Sequence, residues 1–414
     1  MKRFYFASLA VLASFTIGLA GHPNPVRSAA TPPVPRWPGC TPTQHYGCTV
    51  FLATDGDTVL AGNSEDWRNP STRMWVIPPT EEAYGRIYFG FDDFFPQGGV
   101  NDQGLFFDGL AMGETVEVND NLPYYPGNIA DLAMSECATV ECVVDLFSRY
   151  SRSDLANAQL YFGDATGDAV IVEPTAFIRI DGEYLVATNF YQSQTEDGSE
   201  VCNRYWIANY MLENADAYTI ELFRDILDAI HQEGAYPTQY SNIYDLKAGL
   251  IYLYYFHDFE QVVEIDVQAA FAQGPHIVDL ADLFPDSSTA YNLQERRAQV
   301  MARQLAGMDY IPDVDPSGFE ALAGRYLVPD ALVAAGFPFD HLAVSVNDGQ
   351  VYAAVPNLGM PAIPLYTRDA STFFYTSYDE SLVFVLAFET DGSGSVTHAM
   401  FEIEDMEMEL IKVD

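Results

Sequence analysis

The sequence predicts an α+β fold, with sheets carrying helices on their faces in a first part and a small antiparallel β-barrel in a second. Three observations point there. From Cys48 onward short β-rich runs alternate with turn signals; four stretches repeat apolar residues at spacings of three and four; after about Gly307 nearly everything reads as short strands.

In chain order, residues 1–20 place Lys2-Arg3 ahead of an apolar run that ends in Gly18-Leu19-Ala20. A charged start, an apolar stretch and a small-residue end read as a secretory signal peptide. A secreted or periplasmic location follows as an expectation, with no membrane attachment in the mature form. Residues 21–47 are rich in Pro, Ala and Ser and read as a linker or pro-segment. The runs 48–53 and 58–62, joined by Thr54-Asp55-Gly56-Asp57, read as a hairpin. Further strands are expected at 74–77, 86–91, 105–112, 159–163, 169–173, 177–180, 184–188 and 252–257. Helical spacing covers 129–150, 204–212, 219–231 and 290–305. The acidic, Pro-broken segment 308–318 reads as a linker between a 48–307 domain and a 319–414 accessory barrel.

Composition bounds the function. Of 414 residues, 49% are hydrophobic, enough for full-sized cores, and intrinsic disorder is excluded. With 59 Asp+Glu against 19 Lys+Arg the formal net charge is -40, which repels phosphate backbones and anionic headgroups, so no nucleic-acid partner is expected. Lys2, Lys247 and Lys412 are the only lysines. Such a surface suits high salt, where self-repulsion is screened, or belongs simply to an acidic extracytoplasmic protein. Five cysteines are an odd count for an exported chain. Cys137 and Cys142 are spaced for a local bridge and Cys40 with Cys202 for a long-range one, which leaves Cys48 as a thiol.

The sequence has no Gly-x-Ser-x-Gly elbow, Walker loop or His-Glu-x-x-His helix, and its seven histidines are scattered, so no metal or organic cofactor is expected. The informative stretch is Tyr46-Gly47-Cys48-Thr49-Val50-Phe51 with Gly62-Asn63-Ser64-Glu65-Asp66-Trp67. A thiol at the start of one strand, with a carboxylate at the far end of its paired strand, sets a nucleophile beside a polarising charge. Thiols attack as thiolates, which needs a nearby base or cation.

These motifs, with Val100-Asn101-Asp102-Gln103-Gly104-Leu105, Ala187-Thr188-Asn189-Phe190 and Arg204-Tyr205 in the same order, resemble the cysteine-type N-terminal-nucleophile hydrolases. That family includes choloylglycine hydrolases, penicillin V acylases and acyl-coenzyme A:isopenicillin N acyltransferases, and the resemblance covers about residues 48–305. It implies a four-layer αββα sandwich for that part of the chain. It also implies a precursor cleaved between Gly47 and Cys48, whose freed α-amine serves as base while the Cys48 thiol attacks an amide carbonyl. Asp66 matches the aspartate that holds the nucleophile's amine and sulfur, Asn189 the oxyanion donor, and Arg204 an arginine that anchors the site. Two positions depart from the pattern. Asn63 stands where the family often has arginine, which argues against bile-salt-like specificity, and Ala111 replaces an asparagine, leaving its backbone N–H for the oxyanion.

Phe94, Phe95 and Met112 are the expected walls of an acyl pocket. The reading is a secreted, self-processing amidase that hydrolyses a linear amide of a small N-acyl substrate through a Cys48 thioester. Acyl transfer to an amine, and an inactive acyl-ligand-binding protein, remain as alternatives.

Overall fold

A computed structural model describes residues 47–196, 202–391 and 394–413. The signal peptide, residues 21–46 and Cys40 lie outside that set. The described residues belong to one compact unit, Trp37–Asp414. Among them no helix is long and apolar enough to cross a membrane.

The first part contains fourteen strands: β1 (Thr49–Thr54), β2 (Val59–Asp66), β3 (Thr72–Ile77), β4 (Arg86–Phe91), β5 (Pro96–Asn101), β6 (Phe106–Ala111), β7 (Ala158–Gly163), β8 (Ala169–Val172), β9 (Phe177–Arg179), β10 (Tyr184–Ala187), β11 (Thr238–Asp245), β12 (Leu250–Tyr255), β13 (Asp258–Asp266) and β14 (His276–Asp279). They form a six-stranded sheet, β10-β1-β2-β11-β12-β13, and an eight-stranded sheet, β14-β3-β4-β5-β6-β7-β8-β9. Alternation along β1 explains how the first sheet is used. Val50 and Leu52 join an apolar cluster with Phe106, Tyr161 and Ile171 of the second sheet, while Phe51, between them, packs on Phe223 with the rings tilted and their centroids 4.9 Å apart.

Phe223 belongs to one of the helices that cover the sheets: α1 (Ile129–Glu136), α2 (Val140–Phe147), α3 (Asn203–Glu213) and α4 (Ile220–Ile230). α4 buries Phe223, Ile226, Leu227 and Ile230 along one stripe, and the Thr219 hydroxyl caps it by accepting from the Leu222 N–H. The expected single helix over 129–150 is two. Cys137 is extended, Thr139 caps α2, and a Cys137–Cys142 disulfide staples the break, as the cysteine spacing suggested. Cys202 is a free, buried thiol.

β5, β11, β13 and β14 are not among the expected strands, and β5 carries a Gly98-Gly99 pair in its interior. Packing requires those glycines: a Cβ on Gly99 would sit 2.2 Å from the Ile87 carbonyl oxygen, and one on Gly98 2.6 Å from Asp108 Oδ2.

The last part is a nine-stranded antiparallel sheet whose edge strands, Met360–Pro364 and Tyr366–Thr367, are neighbours in the chain, so the sheet curls toward closure. It shares an apolar core with the helix-covered face of the eight-stranded sheet. Trp75 Nε1 donates to the Gly359 carbonyl at 2.9 Å, and the Tyr375 hydroxyl to the Asp92 carbonyl at 2.6 Å. The expected linker is tied to this sheet as well, through Ile311 N–H to the Thr367 carbonyl (2.8 Å) and Arg368 Nε to the Met308 carbonyl (2.9 Å).

Candidate active site

Cys48 immediately precedes β1. Gly47 before it has φ +142°, a backbone state that favours glycine, and a Cβ there would fall 2.1 Å from Asn189 Nδ2. The β1–β2 pairing sets Thr49 opposite Ser64 and Val50 opposite Asn63, and one step further brings Cys48 opposite Glu65. Cross-strand neighbours share a face. Cys48 Sγ accordingly donates to Glu65 Oε2 at 2.8 Å, inside the space between the two sheets.

That space is acidic. Asn63 Nδ2 donates to Glu65 Oε1 at 3.0 Å and to Asp108 Oδ2 at 2.7 Å, bridging two carboxyls that are 1% and 0% exposed. Burial pushes Glu65 up to about 7 against the hydrogen bonds it accepts, and burial together with the Glu65 charge pushes Asp108 well above the usual carboxylate range. Two unpaired charges in one dry pocket are costly, which favours the protonated form of each carboxyl. Cys48 is pushed well above the ordinary thiol range by its own burial and by Glu65, Asp108 and Asp66.

Asp66, the next residue, points to the other side of the strand. Its Oδ1 accepts from the Thr238 hydroxyl, and its Oδ2 from Gln232 Nε2 and, at 3.3 Å, from Arg204 Nη1. Burial raises it to about 6, opposed first by Arg204. Arg204, buried in α3, gathers the site: Nη1 donates to the Gly47 carbonyl, to the Cys48 carbonyl at 2.8 Å and to Thr49 Oγ1 at 2.8 Å, while Nη2 donates to Asn189 Oδ1 at 2.9 Å. Asn189 Nδ2 donates to the Ala111 carbonyl at 2.8 Å, and Gln232 Nε2 reaches the Gly47 carbonyl at 3.1 Å.

Cys48, Asp66, Asn189 and Arg204 thus meet at one peptide bond, with Ala111 beside Asn189. Met112 lies in the apolar cluster that contains Cys48. Phe94 packs instead on Trp75 and Tyr375 in the core shared with the last sheet, and Phe95 is 59% exposed. The residues missed from sequence are Glu65, Asp108, Gln232 and Thr238. Of these Glu65 was legible, because counting the hairpin register from the Asp55-Gly56 turn places it opposite Cys48. Among the described residues, His231, Glu233 and His257 form the grouping whose ligand atoms could hold a metal ion, all within 4.8 Å of one another. His231 Nδ1 there already lies 2.5 Å from the Asp228 carbonyl oxygen.

Fold and site together describe a layered α+β chain that holds one buried thiol among carboxyls, an amide and a guanidinium. No family model matches the chain, and no curated protein matches it. Among solved structures it is similar to a mutant conjugated bile acid hydrolase from Clostridium perfringens, at 17% identity and a TM-score of 0.43, over 56% of this chain and 95% of that one. A second variant of that hydrolase aligns at 17% identity and a TM-score of 0.44, over 56% of this chain and 96% of its own. Penicillin V acylase from Agrobacterium tumefaciens aligns at 20% identity and a TM-score of 0.38, over 53% and 86%.

Proposed function

We propose that the protein is an exported, self-processing cysteine amidase with the αββα layering of N-terminal-nucleophile hydrolases, and that it cleaves a linear amide of a small N-acyl substrate. The observation that carries this reading is that Arg204 donates to the carbonyls of both Gly47 and Cys48 and also holds Asp66 and Asn189, with Asn189 against Gly47.

Cleavage of that bond gives Cys48 a free α-amine, whose ordinary pKa of about 7.7–8.0 lets it accept the thiol proton near neutrality. The thiolate attacks the substrate carbonyl, the amine leaves with a proton, and water resolves the thioester. Gly47 fills the space against Asn189 Nδ2 in the uncleaved chain. Its departure opens that space to the acyl carbonyl, where Nδ2 can donate to the developing oxyanion. Arg204 holds Asn189 and Asp66 in place. Asn63 puts a neutral amide beside two carboxyls, a setting that disfavours an anionic acyl group on that side of Cys48.

Intact mass and N-terminal sequencing of wild type beside Cys48→Ala test the reading. A wild-type chain beginning at Cys48, with the variant keeping its upstream residues, supports it and justifies a screen of N-acyl amides. A wild-type chain beginning near Gly21 overturns it.

A further inference from the structure

Before cleavage the nitrogen of Cys48 is an amide and cannot act as a base, so self-processing needs another proton acceptor. From the geometry at Cys48 we infer that Glu65 is the general base for cleavage of the Gly47–Cys48 bond. This inference rests on the self-processing reading above.

Glu65 Oε2 lies 2.8 Å from Cys48 Sγ, within reach for direct transfer. The position is fixed by strand register and by the hydrogen bond from Asn63 Nδ2 to Oε1. No histidine is a hydrogen-bond partner of Cys48 among the described residues. In the first step the thiol proton passes to Glu65 Oε2 and Sγ attacks the Gly47 carbonyl carbon, closing a five-membered ring. The carbonyl oxygen takes the negative charge, facing Arg204 Nη1 and Gln232 Nε2. The C–N bond then breaks as the Cys48 nitrogen receives the proton from Glu65, leaving Gly47 as a thioester on Sγ. Water hydrolyses the thioester, releasing a Gly47 carboxylate and restoring the thiol beside a free α-amine. From that point the amine can serve as base for turnover, and the work of Glu65 is done.

The groups facing Glu65 are Cys48 at the start of β1, Asn63 on its own strand, Asp108 on β6, and Tyr240 and Tyr244 on β11, and the charge of Asp66 acts on it from the other side of β2. Both tyrosines are pushed well above their ordinary range by burial and stay neutral, so the acceptors in this cluster are the carboxyls.

The test follows cleavage by intact mass after the full-length chain is diluted from denaturant, for wild type, Cys48→Ala and Glu65→Gln, with thermal unfolding as a check on folding. Wild type should cleave, Cys48→Ala should not, and folded Glu65→Gln should cleave at least about 100-fold more slowly than wild type. Equal rates in wild type and Glu65→Gln overturn the role of Glu65 while leaving self-processing intact. An uncleaved wild type overturns self-processing itself. Should Glu65→Gln fail to fold, the wild-type rate against pH decides: a rise through neutrality supports the carboxyl base, and a flat profile between about pH 5 and 9 overturns it.

Discussion

Glu65 and Asp66 are adjacent carboxylates on one strand, yet they occupy opposite kinds of site. Glu65 faces the apolar space between the sheets, where its company is a thiol, an amide and a second carboxyl. Asp66 faces α3, the loop after α4 and the start of β11, where a guanidinium, an amide and a hydroxyl respectively donate to it. Desolvation opposes charge on both. Only Asp66 has a cation to offset it, so Glu65 is the better proton acceptor near neutrality and Asp66 the better fixed anchor. A single alternation of side-chain direction along β2 has separated a proton-transfer face from a positioning face.

The largest expected effect breaks the positioning face alone. Arg204→Ala leaves Asp66 buried without its cation, and the typical cost of about 3–5 kcal/mol should appear in denaturant unfolding, measured in a Cys48→Ala background so that both chains stay uncleaved. The Cys48 to Glu65 contact lies across the strand, so an equal loss on substituting Glu65 would show that the two faces are not separate.

Asn189→Ala removes the donor expected at the oxyanion. Turnover of a cleaved chain should fall by about 100- to 1000-fold in kcat with KM little changed, measured on whichever acyl amide the screen returns. A fall confined to KM would assign Asn189 to binding.

The two faces should also separate in pH. Glu65 goes from an ordinary 4.5 to about 7 in the fold and Asp66 from 3.8 to about 6. Between those limits the folded chain holds protons that the unfolded chain releases. Their stabilisation is therefore complete below about pH 4 and is lost as pH rises, through about 6 for Asp66 and about 7 for Glu65. The Glu65 contribution is of the order of 3 kcal/mol. In the Cys48→Ala chain, Glu65→Gln should flatten the upper part of the stability curve and Asp66→Asn the lower part. Identical curves for the two variants would contradict the distinction.

The smallest effect is Thr238→Val, which removes one of the three donors to Asp66 and keeps the shape. A loss of about 1–3 kcal/mol is expected on denaturant unfolding of the Cys48→Ala chain.

Much of this arrangement can be read along the chain. The β1–β2 hairpin follows from the β-rich runs 50–53 and 59–61 on either side of the Asp55-Gly56 turn, and α4 from its stripe and its threonine cap. Cys48, Asp66, Asn189 and Arg204 are reached by motif order. Glycine-rich β5 was illegible, because its glycines are demanded by neighbouring strands rather than by a turn. Gln232 and Thr238 have no signature of their own. Gln232 matters because the α4–β11 connection passes Asp66, and Thr238 because the β11–β2 register sets it opposite Asp66.

The sequence by itself determined the layered α+β class, the acidic character and the Cys137–Cys142 staple, since local period, charge and spacing are properties of the chain. Asp66, Asn189 and Arg204 were reached only through the family resemblance of their motifs. Tertiary structure decided that Asp108 from the opposite sheet joins Glu65 and the thiol, and that Phe94 packs into the core shared with the last sheet. Those outcomes depend on how two sheets face each other across a common core, and that distance is not written in any local pattern.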